Sequence, residues 1–363
     1  MTEIIYSDDY GGKKVLITGH TGFIGSWLTK WLDTMDADIC GCSLGPPSTP
    51  NMYELLHMDE NIRDVRLDVR DYELLYRAVK DFAPEIIFHL AAQPLVLKSY
   101  EDPIATIETN VVGTANLLEC VRKVGNTKVI VVMTSDKVYQ NKEWVYPYRE
   151  TDPLGGRDPY SASKSCADII VNSYRESFFK DSGVGVSTIR AGNVIGGGDW
   201  GAYRLIPDLV RAISSNVPLK LRNPDAVRPW QYVLEPISGM MNLAHKMWTN
   251  PLKFSSDWNF GPIDGCKSVI ELVYLAMREF GNHPIQMQEV QNHSEARTLL
   301  LDINKTKSVI GWSPILNLEK SIKLTAQWYK SYFSNGNLTK ITEEQIMEYL
   351  KERDRSEKVY SGE

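Results

Sequence analysis

The sequence predicts an α/β protein built on a doubly wound parallel sheet, with a smaller, interwoven C-terminal region. Short β-branched runs alternate with longer helix-like stretches through the first half. Several of these runs, such as Val129-Ile130-Val131-Val132-Met133, are continuously apolar, as strands covered on both faces are. Size agrees: 363 residues are too many for one small core and few for three domains, and 43% hydrophobic with 24% charged residues is ordinary globular usage.

Strands are expected at Lys14–Thr18 and at residues 38–42, 65–68, 86–90, 129–134 and 186–190. After Arg190 the rhythm breaks into loops such as Gly196-Gly197-Gly198, Asn223-Pro224 and Gly261-Pro262, interleaved with helical patterns such as Leu205–Ser214. This places a first domain over 1–191, a mainly substrate-binding second region over 192–340, and a C-terminal helix and tail over 341–363. Thr342 with Gln345 reads as a capping box ahead of Ile346, Met347 and Leu350, with a frayed tail from about Asp354.

Composition excludes several partners. The 40 basic and 46 acidic residues leave a net charge of -6, and no long Lys/Arg run is present to track nucleic acid or an anionic membrane. No apolar run approaches the ~20 residues of a membrane span. The polar, acidic residues 1–14 lack a secretory pattern, so a cytoplasmic location is expected. The five cysteines, Cys40, Cys42, Cys120, Cys166 and Cys266, match no zinc or disulfide framework, so reduced thiols and no metal site are expected.

The chemistry begins where the first strand runs into Thr18-Gly19-His20-Thr21-Gly22-Phe23-Ile24-Gly25 and then a helix from about Ser26. Glycines at such a turn permit φ > 0 and bring backbone N–H groups to a pyrophosphate at the helix's positive end. The spacing, G-x-x-G-x-x-G, differs from G-x-G-x-x-G, and a purely structural turn is the competing reading. Asp68, followed by Val69, closes the third expected strand, where a carboxylate can take an adenine amino group. Leu90-Ala91-Ala92-Gln93 closes the fourth with small residues against which a cofactor can lie. Taken singly, each is equally a strand-end cap or simple packing; in this order they specify a Rossmann-type dinucleotide site. The end of the second strand, Ser43-Leu44-Gly45, offers neither the acid of NAD enzymes nor the arginine of NADP enzymes, and the absence of a nearby cation favours NAD.

Tyr160 and Lys164 stand four apart in a helix-like stretch, hence on one face. An ammonium there would lower a phenol pKa from its ordinary ~10 and make a usable base.

With these residues the chain resembles the extended short-chain dehydrogenases/reductases, a family acting on nucleotide sugars. The matching pieces are Thr18 to Gly25, Asp68, Ala91-Ala92, Asn110, Ser135, Tyr160 and Lys164. The resemblance implies NAD as cofactor, held by Gly19, Thr21, Gly22, Phe23, Ile24, Gly25, Asp68, Val69, Leu90, Ala91, Ala92, Asn110, Thr134, Tyr160 and Lys164. Ser135 would bond the sugar hydroxyl, Tyr160 remove its proton and Lys164 hold the nicotinamide ribose.

Thr134-Ser135-Asp136-Lys137 adds a carboxyl that an epimerase or reductase does not need and a sugar 4,6-dehydratase does. Asp-Lys resembles the branch acting on CDP-glucose, with Asp136 the general acid and Lys137 the base or its organiser. The likeness runs to about residue 330 through Glu143-Trp144, residues 190–200, Arg204-Leu205, Arg228-Pro229-Trp230, Trp258-Asn259-Phe260 and Glu295-Ala296. It implies a substrate pocket of Gln93, Ser135, Asn193, Arg204, Leu205, Arg228, Glu295 and Arg297, arginines suiting a diphosphate. It also implies a homodimer or tetramer assembled through helices at 109–124 and 160–179. Leu117 and Val121 there are equally consistent with core packing. Ile24 departs from relatives that carry lysine in the glycine loop.

Overall fold

The computed structural model describes residues 9–264, 266–288 and 298–361. Seven strands form one parallel sheet: β1 (Lys14–Thr18), β2 (Asp38–Ser43), β3 (Arg63–Arg66), β4 (Ile86–His89), β5 (Val129–Met133), β6 (Gly185–Ala191) and β7 (Asp257–Phe260), in the order β7-β6-β5-β4-β1-β2-β3. Strand order reverses between β1 and β4, and it is outside the C-terminal ends of the strands at such a reversal that doubly wound sheets bind their ligands.

Alternation along each strand feeds two cores. Val15 and Ile17 of β1, Ile86 and Phe88 of β4, and Val129 and Val131 of β5 pack with Trp27 and Trp31 of α1 (Phe23–Asp33). Leu16, Ile87, Ile130 and Val132 point the other way, to Leu75 and Val79 of α2 (Tyr72–Phe82), Leu117 and Val121 of α3 (Gly113–Val124), and Val171 of α4 (Pro159–Tyr174). Leu117 and Val121 are therefore core residues. Cys40, Cys42 and Cys120 are buried, and all five cysteines are free thiols.

The longer helices of the second half are α5 (Leu205–Ser214), α6 (Leu234–Thr249), α7 (Val269–Phe280), α8 (Leu318–Phe333) and α9 (Leu338–Ser361). Helix α6 joins the first core through Met240, Leu243 and Met247. No helix among the described residues is long and apolar enough to cross a membrane.

Four expectations are corrected. The third strand is Arg63–Arg66, so Asp68 lies in the loop beyond it. A seventh strand, β7, arrives from the C-terminal half to pair with β6, from Asp257 opposite Thr188 to Phe260 opposite Ala191. The capping box is Ser268 with Glu271, at the start of α7. Helix α9 is capped instead by Asn337, whose side chain accepts from Lys340 N. Thr342 and Gln345 lie inside α9, where Trp328 donates to the Thr342 hydroxyl and Gln345 bridges Tyr232 and the Leu324 carbonyl. The helix also continues through Asp354 to Ser361.

A buried carboxylate holds α9 down. Glu235, 1% exposed, accepts from the backbone N–H groups of Ile315 and Leu316 and from the Tyr349 hydroxyl, with Arg353 Nη2 3.5 Å away. Burial raises its pKa, against the pull of Arg353. Arg353→Met leaves that charge buried without its counter-ion, and about 3–5 kcal/mol of stability should be lost at neutral pH. Because a protonated Glu235 needs no partner, the deficit should shrink as pH falls through the carboxylate range. Chemical denaturation at two pH values checks both, and an equal loss at each would contradict the assignment.

Candidate active site

Thr18 ends β1, Gly19 turns with φ +77, and α1 begins at Phe23. A Cβ on Gly19 would stand 2.7 Å from Ala91 N, and one on Gly25 would stand 2.1 Å from Gly19 O. Only bare backbone fits this cradle. The α1 N-terminus carries no side-chain cap and no acidic residue in its first turn, so its dipole is open to an anion. Thr21 is turned toward the end of β2, its hydroxyl 2.7 Å from Ser43 Oγ and donating to Leu44 O. Phe23 and Ile24 pack against the first core.

Beneath the cradle lies a residue that sequence reasoning missed. The Thr18 hydroxyl accepts from both Leu90 N and Ala91 N, so its one proton goes to His89 Nδ1, 2.7 Å away. This leaves Nε2 protonated, donating to Thr114 Oγ1, which donates in turn to Asn110 O. Burial pushes the His89 pKa down to about 3, aided by Lys164, so the ring is a neutral strut at physiological pH.

Asn110, in a π turn over Glu108–Val112, bonds Gln93 N and O and reaches Ser163 Oγ on α4. The Gln93 amide donates to Leu95 O and Thr106 Oγ1 and its carbonyl accepts from Leu95 N, so this side chain staples the loop after β4. Asp68 is clamped by Arg70, from the backbone N–H and from Nε and Nη2, which lowers its pKa. Val69 is buried against Gly113, where a Cβ would come within 2.6 Å of it.

At the end of β5 the chain turns so that Ser135 Oγ accepts from Lys137 N and donates to Asp136 Oδ1 at 3.0 Å. Asp136 is 2% exposed and its Oδ2 has no hydrogen-bond partner, while Lys137 Nζ stands 3.8 Å from Oδ1. A buried carboxylate oxygen without a donor faces either a bound group or an unmet desolvation cost.

Helix α4 brings in the phenol. Asp158 caps it by accepting from Ser161 N, Pro159 occupies its first position, and Tyr160 follows, 8% exposed. Burial pushes the Tyr160 pKa up to about 12, with Asp136 adding to the rise, while a hydrogen bond with Ser135 and the charge of Arg204 pull it down. Tyr160, Ser135, Asp136 and Arg204 thus form one cluster. Lys164 follows one turn later, its ammonium donating to Met133 O at 3.2 Å and pushed down to about 8 by burial, against Asp168.

Asp168 is the second residue the reading missed, although its spacing of four from Lys164 extends the Tyr160–Lys164 face. Its carboxylate is gripped bidentately by Arg190 of β6, both side chains 1% exposed, and accepts the Thr134 hydroxyl. Arg190 also donates to Tyr139 and to Glu150 O. This brace ties the helix bearing Tyr160 to the strand end bearing Ser135.

From the second half, Arg204 precedes α5 and pairs with Asp199 at 3.1 Å, and Leu205 opens that helix. The Asn193 Oδ1 is buried without a partner, another polar atom awaiting a donor. Arg228 is 4% exposed, and burial, with the charge of Asp136 against that of Arg228, raises the pKa of the Cys266 thiol. Glu295 and Arg297 lie outside the described residues. Among the described residues no group of His, Cys, Asp or Glu could hold a metal ion.

A parallel sheet with a bare glycine cradle at its switch point, and a Ser, Tyr and Lys set at the adjoining strand end, defines the Rossmann-type short-chain dehydrogenase/reductase class. Residues 16–325 match the model of the family described as GDP-mannose 4,6 dehydratase, and the chain belongs to that family. It is 43% identical over 346 residues, 93% of this chain and 96% of the other, to the CDP-glucose 4,6-dehydratase of Salmonella typhimurium. A putative UDP-glucose 4-epimerase of Methanocaldococcus jannaschii is 27% identical over 87% of this chain and 98% of its own. Among solved structures, the dTDP-glucose 4,6-dehydratase DesIV of Streptomyces venezuelae, with NAD and TYD bound, superposes with a TM-score of 0.76 at 24% identity, covering 90% of this chain and 99% of that one.

Proposed function

We propose that this chain is an NAD-dependent hydro-lyase that converts CDP-D-glucose to CDP-4-keto-6-deoxy-D-glucose. The buried, half-unpartnered carboxyl of Asp136 beside Ser135 and Tyr160 carries the reading, because C4 oxidation alone gives such an acid no task. The 43% identity to a CDP-glucose 4,6-dehydratase supports the sugar and the base.

The bare backbone around Gly19 and Gly25 and the uncapped α1 N-terminus fit a dinucleotide pyrophosphate. A bound nicotinamide supplies the acceptor for hydride from C4 and its donor to C6. The protein's own groups do the rest. Tyr160 accepts the C4 hydroxyl proton while Ser135 bonds the same oxygen. Once C4 is a ketone, the C5 hydrogen is acidic, and Lys137 takes it or orients what does. Asp136 gives its proton to the C6 hydroxyl, which leaves as water. Asn193, Arg204 and Arg228 hold the nucleotide and diphosphate, the arginines through charge-assisted hydrogen bonds. The hydride taken from C4 returns to C6 while C5 regains a proton from solvent, so water is the only net loss and the cofactor is not consumed.

Incubation with CDP-glucose in heavy water tests this: the product should be lighter by one water and carry solvent deuterium at C5. An unchanged mass with inverted C4, the outcome for a C4 epimerase, would overturn it, as would steady accumulation of reduced nicotinamide. The reading places the enzyme in the cytoplasm, feeding deoxysugar assembly. A homodimer is supported by the exposed apolar side chains Ile104, Ile107, Val112 and Ile169 on the segments at 103–124 and 160–179. Ile104→Asp with Ile169→Asp should halve the mass measured by light scattering, and an unchanged mass would sink that assembly.

A further inference from the structure

Ser43, the last residue of β2, and Leu44 after it carry no charge, and the sequence shows no cation beside them. The fold brings two charges there from β3. In the parallel register Arg66 lies opposite Ser43 and Asp64 opposite Gly41. Alternation sends both side chains to the face that carries the glycine turn. Arg66 donates through Nη1 to Leu44 O at 3.0 Å and through Nη2 to Asp64 Oδ2 at 2.6 Å, its guanidinium lying over the Tyr53 ring. Asp64 also accepts the Tyr53 hydroxyl at 2.7 Å and His20 Nε2 at 3.1 Å, so the carboxylate is tied to the glycine turn itself. Glycine is required at 41, because a Cβ there would stand 2.4 Å from the His20 ring. Leu44 O receives the Thr21 hydroxyl as well, so the arginine and the cradle meet at one carbonyl.

In a doubly wound dinucleotide fold the adenosine ribose lies at this strand end, where a carboxylate takes its 2′-hydroxyl or an arginine takes a 2′-phosphate. Here the two charges are present together and bonded to each other. We infer that Asp64 is the residue that makes this chain select the unphosphorylated dinucleotide, by neutralising Arg66 and steering it onto Leu44 O. A 2′-phosphate arriving at this edge meets a guanidinium already bonded through both Nη1 and Nη2 and a carboxylate of its own sign. Without Asp64 the guanidinium keeps its full charge and Nη2 is released to the planar donor set that a phosphate accepts. The inference rests on the reading that residues 18–25 hold a dinucleotide.

Calorimetric titration with NAD+ and NADP+ separates the two claims. The unmodified chain should bind NAD+ more tightly than NADP+. Asp64→Asn should strengthen NADP+ binding by about fivefold or more, with NAD+ held within about twofold, and the gain should shrink as salt rises. Adding Arg66→Ala to that variant should abolish the gain. Arg66→Ala alone should leave both affinities within about twofold, since in the intact cluster Asp64 already engages the arginine. An Asp64→Asn protein that binds NAD+ and still rejects NADP+ overturns this inference alone. So does a marked loss of NADP+ binding in Arg66→Ala, which remains informative if Asp64→Asn does not fold. Failure of the unmodified chain to bind NAD+ overturns the underlying reading and this inference with it.

Discussion

Asp136→Asn is expected to lower the rate of water loss from CDP-glucose by about 10²- to 10⁴-fold while leaving C4 oxidation in place. Asparagine keeps the shape of the side chain and can still accept from Ser135 Oγ, so the turn at Ser135 to Val138 should persist. What disappears is the proton that Asp136 gives to the departing C6 hydroxyl. Oxidation should then proceed for one turnover and stop, and the near-ultraviolet absorbance of reduced nicotinamide should appear on mixing and remain. The mechanism assigned to Asp136 fails if rapid mixing shows no such signal while the protein stays folded, or if product forms at the unmodified rate.

For Tyr160→Phe the block falls one step earlier. Removing the group that accepts the C4 hydroxyl proton should lower kcat by about 10²- to 10⁴-fold, with neither reduced nicotinamide nor dehydrated sugar formed. Substrate should still bind, because Asn193, Arg204 and Arg228 are untouched. Calorimetry would report that affinity, and an equal collapse of binding would reassign the tyrosine to substrate capture. The pH dependence of kcat/KM in the unmodified chain adds a second check. Lys164 is cationic below its depressed pKa of about 8 and neutral above it. If its charge assists proton removal at Tyr160, activity should fall on the alkaline side near that value, and Lys164→Met should be slow with the limb gone.

The glycine turn, the apolar strands and the Tyr160–Lys164 pair were legible in the linear chain because each follows from local rules. A phosphate cradle needs consecutive backbone without Cβ atoms, and strands covered on both faces need unbroken apolar runs. Two groups on one helix face need only a spacing of four. The Asp136-Lys137 doublet was legible only through resemblance, since nothing local requires an acid after a serine.

Misreadings arose wherever the decisive partner was distant in sequence. Thr342 and Gln345 had the pattern of a helix start, yet Trp328 and Tyr232 bury them inside one. Lys164 had the spacing to depress the phenol, but burial of Tyr160 works the other way and pushes that pKa up to about 12.

Periodicity and turn chemistry alone thus specify the class of sheet, the cradle and the helix face that carries the phenol, because these depend on residues within a few positions of one another. Which charges meet at the strand ends is a matter of pairing between strands and helices far apart in the chain. Arg66 reaches the end of β2 only through the β2–β3 register, and Asp168 braces the catalytic helix only because β6 lies beside β5. Electrostatic energies depend on separation and burial in space, so the protonation states and the proposed cofactor preference could be assigned only after the chain had folded.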